Sequence, residues 1–141
     1  MMIIRFKLYF SIITAALIIA INYYATKFNV YWILKWFDIP MHILGGMMVG
    51  FFGLTTLDYL TDYLKAPAFV VDERSSINKM KCLWVMGFVL LVGVVWEIVE
   101  MSFGLGGLSS AYRLNTIKDI FDDLLGGALS IIIWRFLFVK K

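Results

Sequence analysis

Residues 82–103 read CLWVMGFVLLVGVVWEIVEMSF, an apolar run that carries two carboxylates, Glu97 and Glu100, near its end. A helix needs roughly 20 apolar residues to cross the hydrocarbon core of a bilayer, and this run is long enough. Buried strands are far shorter, and a solvated helix would alternate polar and apolar faces. The run therefore decides the class: an α-helical membrane protein.

The rest of the chain agrees. Of its 141 residues 62% are hydrophobic and 16% charged, with a mean hydropathy of +0.85, too apolar for a soluble domain of this length. Three further stretches have the length of a span, about Leu8 to Tyr24, Ile39 to Tyr59 and Asp119 to Val139. The expected fold is all-α: a single transmembrane domain over residues 1–141, four spans in a compact bundle. The first stretch follows Arg5 and Lys7 as a secretory signal would, but it outruns the usual apolar length and lacks a clear small-residue cleavage site, so it reads as a retained span.

Between the first two spans lies Phe28 to Phe37, FNVYWILKWF. Val30, Ile33, Leu34 and Phe37 fall at helical spacing beside Tyr31, Trp32 and Trp36, which predicts a short helix at the lipid interface, where aromatic rings favour the headgroup level. An anchoring belt is the simpler role for it; substrate binding is the alternative. Thr61 to Lys81 reads as a solvated loop, and Ser102 to Lys118, with Gly104, Gly106 and Gly107, as either a plain loop or a mobile cover. The one cysteine, Cys82, admits no internal disulfide.

Lysine and arginine are distributed nine to four in favour of the side that carries both termini, which the positive-inside rule reads as cytoplasmic. The net charge of +3, without a long basic run or a stacking motif, gives a nucleic-acid role little support. In this orientation His42, Glu97, Glu100, Asp119 and Asp123 all reach similar depth in the outer leaflet. Ionisable residues in a span need a partner, a proton, an ion or a wet cavity, and unrelated structural charges have no reason to share one depth.

Each group has a structural alternative. Asp38, ahead of Pro40, reads as a helix cap. His42 shares a face with Gly45, Gly46, Val49, Gly50 and Gly53, a stripe suited to close helix packing in lipid. Glu97 and Glu100, three residues apart, are helix neighbours whose repulsion calls for a cation, a shared proton or an Arg partner, unless the helix end is hydrated. Thr116 to Asp119 fits a capping box, which leaves Asp123, one turn deeper and ahead of Gly126-Gly127, as the preferred functional aspartate.

Oxygen ligands with one imidazole suit Mg²⁺, Mn²⁺, Ca²⁺ or Zn²⁺, and the candidate ligand set is His42, Glu97, Glu100, Asp119 and Asp123. The expected activity is divalent-metal-dependent hydrolysis of a lipid or lipid-linked phosphate, with Glu97, Asp123 and His42 as catalytic groups and Arg113 and Lys118 holding the substrate phosphate. Two other readings stay open: a cation or proton transporter, and a non-catalytic structural or assembly protein held by an ion-pair network. The expected partners are the bilayer and a lipid-linked substrate, and a homo-oligomer is compatible with the sequence.

Three segments carry a family resemblance: Pro40-Met41-His42-Ile43-Leu44-Gly45-Gly46, Trp96-Glu97-Ile98-Val99-Glu100 and Asp119-Ile120-Phe121-Asp122-Asp123-Leu124-Leu125-Gly126-Gly127-Ala128. In their order the chain resembles small bacterial membrane proteins of the YjdF-like type and, more distantly, VanZ-like proteins. The resemblance implies a polytopic membrane protein and no particular reaction. The VanZ-like pattern is departed from at Glu97-x-x-Glu100, so no resistance role is carried across.

Overall fold

A computed structural model describes residues 2–64, 79–102 and 110–138. Among them are five α-helices and one 3-10 turn, with no strand: α1 (Met2–Lys27), α2 (Val30–Ile33), the turn Lys35–Phe37, α3 (Asp38–Leu64), α4 (Lys79–Ser102) and α5 (Ser110–Phe138). Three segments are long and apolar enough to cross a membrane: Arg5–Lys27, Lys35–Thr61 and Lys79–Ser102. The fourth expected span corresponds to α5, whose acidic residues lower its hydropathy. At 29 residues it is nevertheless about 43 Å long.

α1 ends where Asn29 takes a left-handed conformation (φ 55°), a geometry that Asn tolerates better than most residues. The chain then turns through α2 and the 3-10 turn, so the expected interfacial helix is two short pieces. Trp32, Ile33 and Trp36 are exposed on it. α3 begins at Asp38, and Pro40 falls in its first turn, where a missing N–H leaves no bond unmade.

The bundle is built around α3 and α5, whose backbones touch. Gly46 and Gly126 make this possible: a Cβ on Gly46 would lie 1.9 Å from the carbonyl oxygen of Asp123, and one on Gly126 would lie 2.0 Å from that of Ile43. Gly50 serves the same seam, meeting Ser130. Such contacts let two helices approach closely in lipid, where hydrophobic burial cannot drive association. α1 packs on α3, and α4 packs on both α3 and α5. The α4 surface that faces them is a stripe four residues apart, Val85, Val89, Gly93 and Glu97, all buried.

Polarity is arranged inside out. Leu83, Leu91, Phe121 and Phe136 are among many large apolar side chains on the outside, while Ser11, His42, Thr55, Glu97, Asp119, Asp122, Asp123 and Ser130 are buried. The apolar core, Phe51, Leu54, Val85, Val89 and Trp134, joins the middle of α3 to the first half of α4 and the last turns of α5. One end of the bundle holds a carboxylate cluster around His42. At the other, Asp58 of α3 accepts from Lys81 of α4 at 2.9 Å and pairs with Lys7 of α1. Lys7 also lies 5.3 Å above the Trp134 ring.

Gly46→Ala and Gly126→Ala should each force α3 and α5 apart and cost ~3 kcal/mol. Gly87→Ala is the control, because nothing lies within 4 Å of its added Cβ. Thermal denaturation in detergent should show a large loss for the first two and little change for the third.

Candidate functional site

His42 is one turn into α3 and buried, with a carboxylate on each side of its ring. Nδ1 lies 3.3 Å from Asp123 Oδ1. Nε2 faces two further oxygens, Asp38 Oδ1 at 3.6 Å and Asp119 Oδ1 at 4.0 Å. A neutral imidazole donates from one nitrogen only. If Nδ1–H is given to Asp123, the Nε2 lone pair points at two carboxylates, an arrangement relieved by a second proton or by a cation on Nε2.

Asp123 reaches this position because two glycines, Gly46 and Gly93, make room for it, while Gly45 only borders it. A Cβ on Gly93 would lie 2.7 Å from Asp123 Oδ2, and one on Gly45 would lie 3.9 Å from its Oδ1. Gly46 admits its backbone. Carboxylate, imidazole and a third partner in line is the arrangement that orients a metal-ligating His in many sites.

The remaining acids have different partners. Asp119, almost fully buried, accepts from Lys118 Nζ at 2.9 Å and from the Asn115 amide. Asp122 Oδ2 lies 3.1 Å from the same ammonium, in ion-pair range though not aligned as a hydrogen bond. Glu100 is half-buried and accepts from Trp96 Nε1 at 2.9 Å. Glu97 is 4% exposed, and neither of its oxygens has a hydrogen-bond partner. Thr116, Asp119, His42 and Asp123 are its electrostatic neighbours, so it belongs to the same cluster. Buried charges normally find partners, and an orphaned carboxylate is costly.

Asp38, His42 and Asp119 each offer one ligand atom within 4.8 Å of the others. Hard oxygens with one imidazole are a donor set for Mg²⁺, Mn²⁺ or Zn²⁺. Glu97 and Asp123 line the same space, and Glu100 is held at its edge by Trp96. Arg113 belongs to α5, but its side chain falls outside the described residues. So do residues 103–109, which hold the glycines of the expected cover.

Two capping expectations are corrected. Asp38 has helical backbone angles (φ −58°, ψ −44°) rather than those of a cap, and its carboxylate turns to His42. α5 begins nine residues before Asp119, so Thr116 and Asp119 lie in its interior and form no capping box. Asp38, Asn115 and Asp122 were missed as site residues, yet spacing marks all three. Asp38–His42, Asn115–Asp119 and Lys118–Asp122 are pairs four apart, hence neighbours on a helix face.

Tyr31 of α2 lies near Asp38 and Glu100 of the cluster. Its hydroxyl donates to Asn22 of α1 at 2.6 Å. Burial, and then the negative charge of Asp38 and Glu100, push its phenol up to about 12.

A family model described as "Predicted membrane protein (DUF2238)" matches residues 3–140. The chain belongs to this family. The match takes in α2 to α5 and all of α1 but its first residue, and it agrees with the small membrane protein that the sequence resemblance implied without bearing the YjdF-like or VanZ-like name. No curated protein and no solved structure matches the chain.

Because Tyr31 keeps its proton longer when folded than when unfolded, its contribution to stability is whole below pH ~10 and is lost as pH rises toward 12. Denaturation midpoints should fall across this window in the wild-type protein and fall less in Tyr31→Phe.

Proposed function

We propose that this protein is a four-span bundle whose His42 chamber, open to the extracytoplasmic side, binds a divalent cation and uses it to hydrolyse a lipid-linked phosphate. The cation reading is carried by the convergence of Asp38, His42 and Asp119 within 4.8 Å. His42 Nε2 is the nitrogen presented to the ion, and Asp123 positions the ring from its other side. The imidazole favours Mn²⁺ or Zn²⁺ over Ca²⁺.

The hydrolytic reading is supported by Glu97. A buried carboxylate with two unpartnered oxygens, beside an ion that polarises the phosphoryl group, is suited to take the proton of the attacking water as the phosphate ester bond breaks. Lys118, and Arg113 by its place in the sequence, supply positive charge for the phosphate. The fourth span is α5: its acids are buried toward the chamber, while Phe121, Leu125, Leu129, Ile132 and Phe136 face outward as lipid-contacting residues would. Both termini are then cytoplasmic.

One observation favours a second reading. Lys118 already pairs with Asp119 and Asp122, and His42 with Asp123, so the same residues would also serve as an ion-pair network fixing helix register. Transport has less support, because the apolar layer of Phe51, Leu54, Val85, Val89 and Trp134 separates the two polar ends.

Metal analysis of protein equilibrated with Mn²⁺ or Zn²⁺ separates the two. The cation reading expects about one ion per chain, with affinity lowered at least about tenfold in His42→Ala and Asp119→Asn. Glu97→Gln should keep the ion and lose about 10²-fold in phosphate release. No ion in the wild-type protein, together with reduced thermal stability of Asp119→Asn, establishes the network instead. Reporter fusions at the two ends should both read cytoplasmic; one fusion on each side would rule out an even number of spans.

A further inference from the structure

Lys118 occupies an unusual place in the chamber. Its ammonium donates to Asp119 Oδ1, and this is the oxygen that also faces His42 Nε2. The same ammonium reaches Asp122 Oδ2. A cation bound between Asp38, His42 and Asp119 would therefore meet a positive charge already seated on one of its ligand oxygens. Two cations sharing an oxygen at such range repel strongly in a partly buried site.

The lysine has somewhere to go. Its side chain is 40% exposed, whereas Asp119 beneath it is 1% exposed. Lys118 also stands one turn from the Asp122–Asp123 pair toward the helix start, at the end of the bundle nearest the headgroups if α5 crosses the membrane. A lysine there can lay its flexible stem along apolar surface and carry its ammonium into water. Glu97 cannot relax in that way: it is buried, and its oxygens have no hydrogen-bond partner while the lysine is in place. The resident ammonium therefore hydrogen-bonds Asp119 and offsets the charge of Asp122, and it leaves the Glu97 oxygens without a hydrogen-bond partner.

We propose that Lys118 is a tethered counter-ion that occupies the cation site's Asp119 ligand and is exchanged for the divalent ion. This rests on the cation reading above. Exchange makes the lysine the determinant of affinity, since each binding event must displace it. It also orders events, because the ammonium becomes available to an anionic ligand only after the metal has entered.

The full-length protein in nanodiscs tests this with Mn²⁺ as the probe, its binding read from loss of the free-ion EPR signal, and with amine acylation at Lys118 read by peptide mass spectrometry. Exchange expects Lys118→Met to bind Mn²⁺ about tenfold more tightly or better, Lys118→Arg to stay near wild type, and acylation of Lys118 in the wild-type protein to rise as Mn²⁺ is added. The two variants separate loss of charge from loss of folding. If Mn²⁺ binds but acylation does not change, or if Lys118→Met binds no more tightly, exchange is overturned and the cation site stands. If neither the wild type nor either variant binds Mn²⁺, the cation site falls, and exchange falls with it.

Discussion

The imidazole of His42, buried with carboxylates facing both of its nitrogens, is the constraint on which the rest of the site depends. An imidazole is most easily accommodated with a donor partner on one side and an acceptor on the other, and here the second side holds only oxygens. Satisfying both sides requires an additional positive charge, and lipid surroundings would make the unsatisfied state expensive. Asp123 takes one nitrogen. Asp38 and Asp119 compete for the other, and Lys118 tempers the charge of Asp119. Six carboxylates and two basic groups thus form a single electrostatic problem rather than separate pairs.

Backbone proximity makes this arrangement available. α3 and α5 approach through Gly46, Gly50 and Gly126, so the side chains of His42 and Asp123 meet without long, flexible reach. α4 joins through the groove left by Gly93 and delivers Glu97 on the same stripe as Val85 and Val89. Apolar packing dominates the middle of the bundle, and a separate Lys7–Asp58–Lys81 cluster ties α1, α3 and α4 at the opposite end. Each polar end is held by ion pairs, and dispersion contacts hold the layer between them.

The long apolar runs made the helices of this fold legible, because length and hydropathy are nearly sufficient evidence for a membrane-length helix. Span number was harder to read from α5, where Lys118, Asp119, Asp122 and Asp123 depress hydropathy although the acids turn inward. The meeting of His42 with Asp123 was legible as a shared depth and a shared small-residue face. What depth alone could not reveal is which oxygen faces which nitrogen. Asp38 was read as a cap because Pro40 follows it, although its four-residue spacing to His42 was already present. Asp119 was read as part of a capping box because Thr116 precedes it; the helix in fact starts at Ser110, and Asn115–Asp119 and Lys118–Asp122 pair along one face inside it. The apolar sequence signal starts later than the helix does, and that displaced the boundary.

The seam between α3 and α5 also determines how the molecule should come apart. Main-chain atoms in direct apposition exclude solvent and leave little room for rotamer exchange, whereas α1 and α4 hold to this pair through side chains and terminal charges. Opening proceeds through the least protected elements first. Peripheral helices would loosen while the central pair remained closed, so the imidazole and its oriented aspartate outlast the carboxylate contributed from α4. Partial melting would leave the His42–Asp123 contact in place rather than erase the cluster at once.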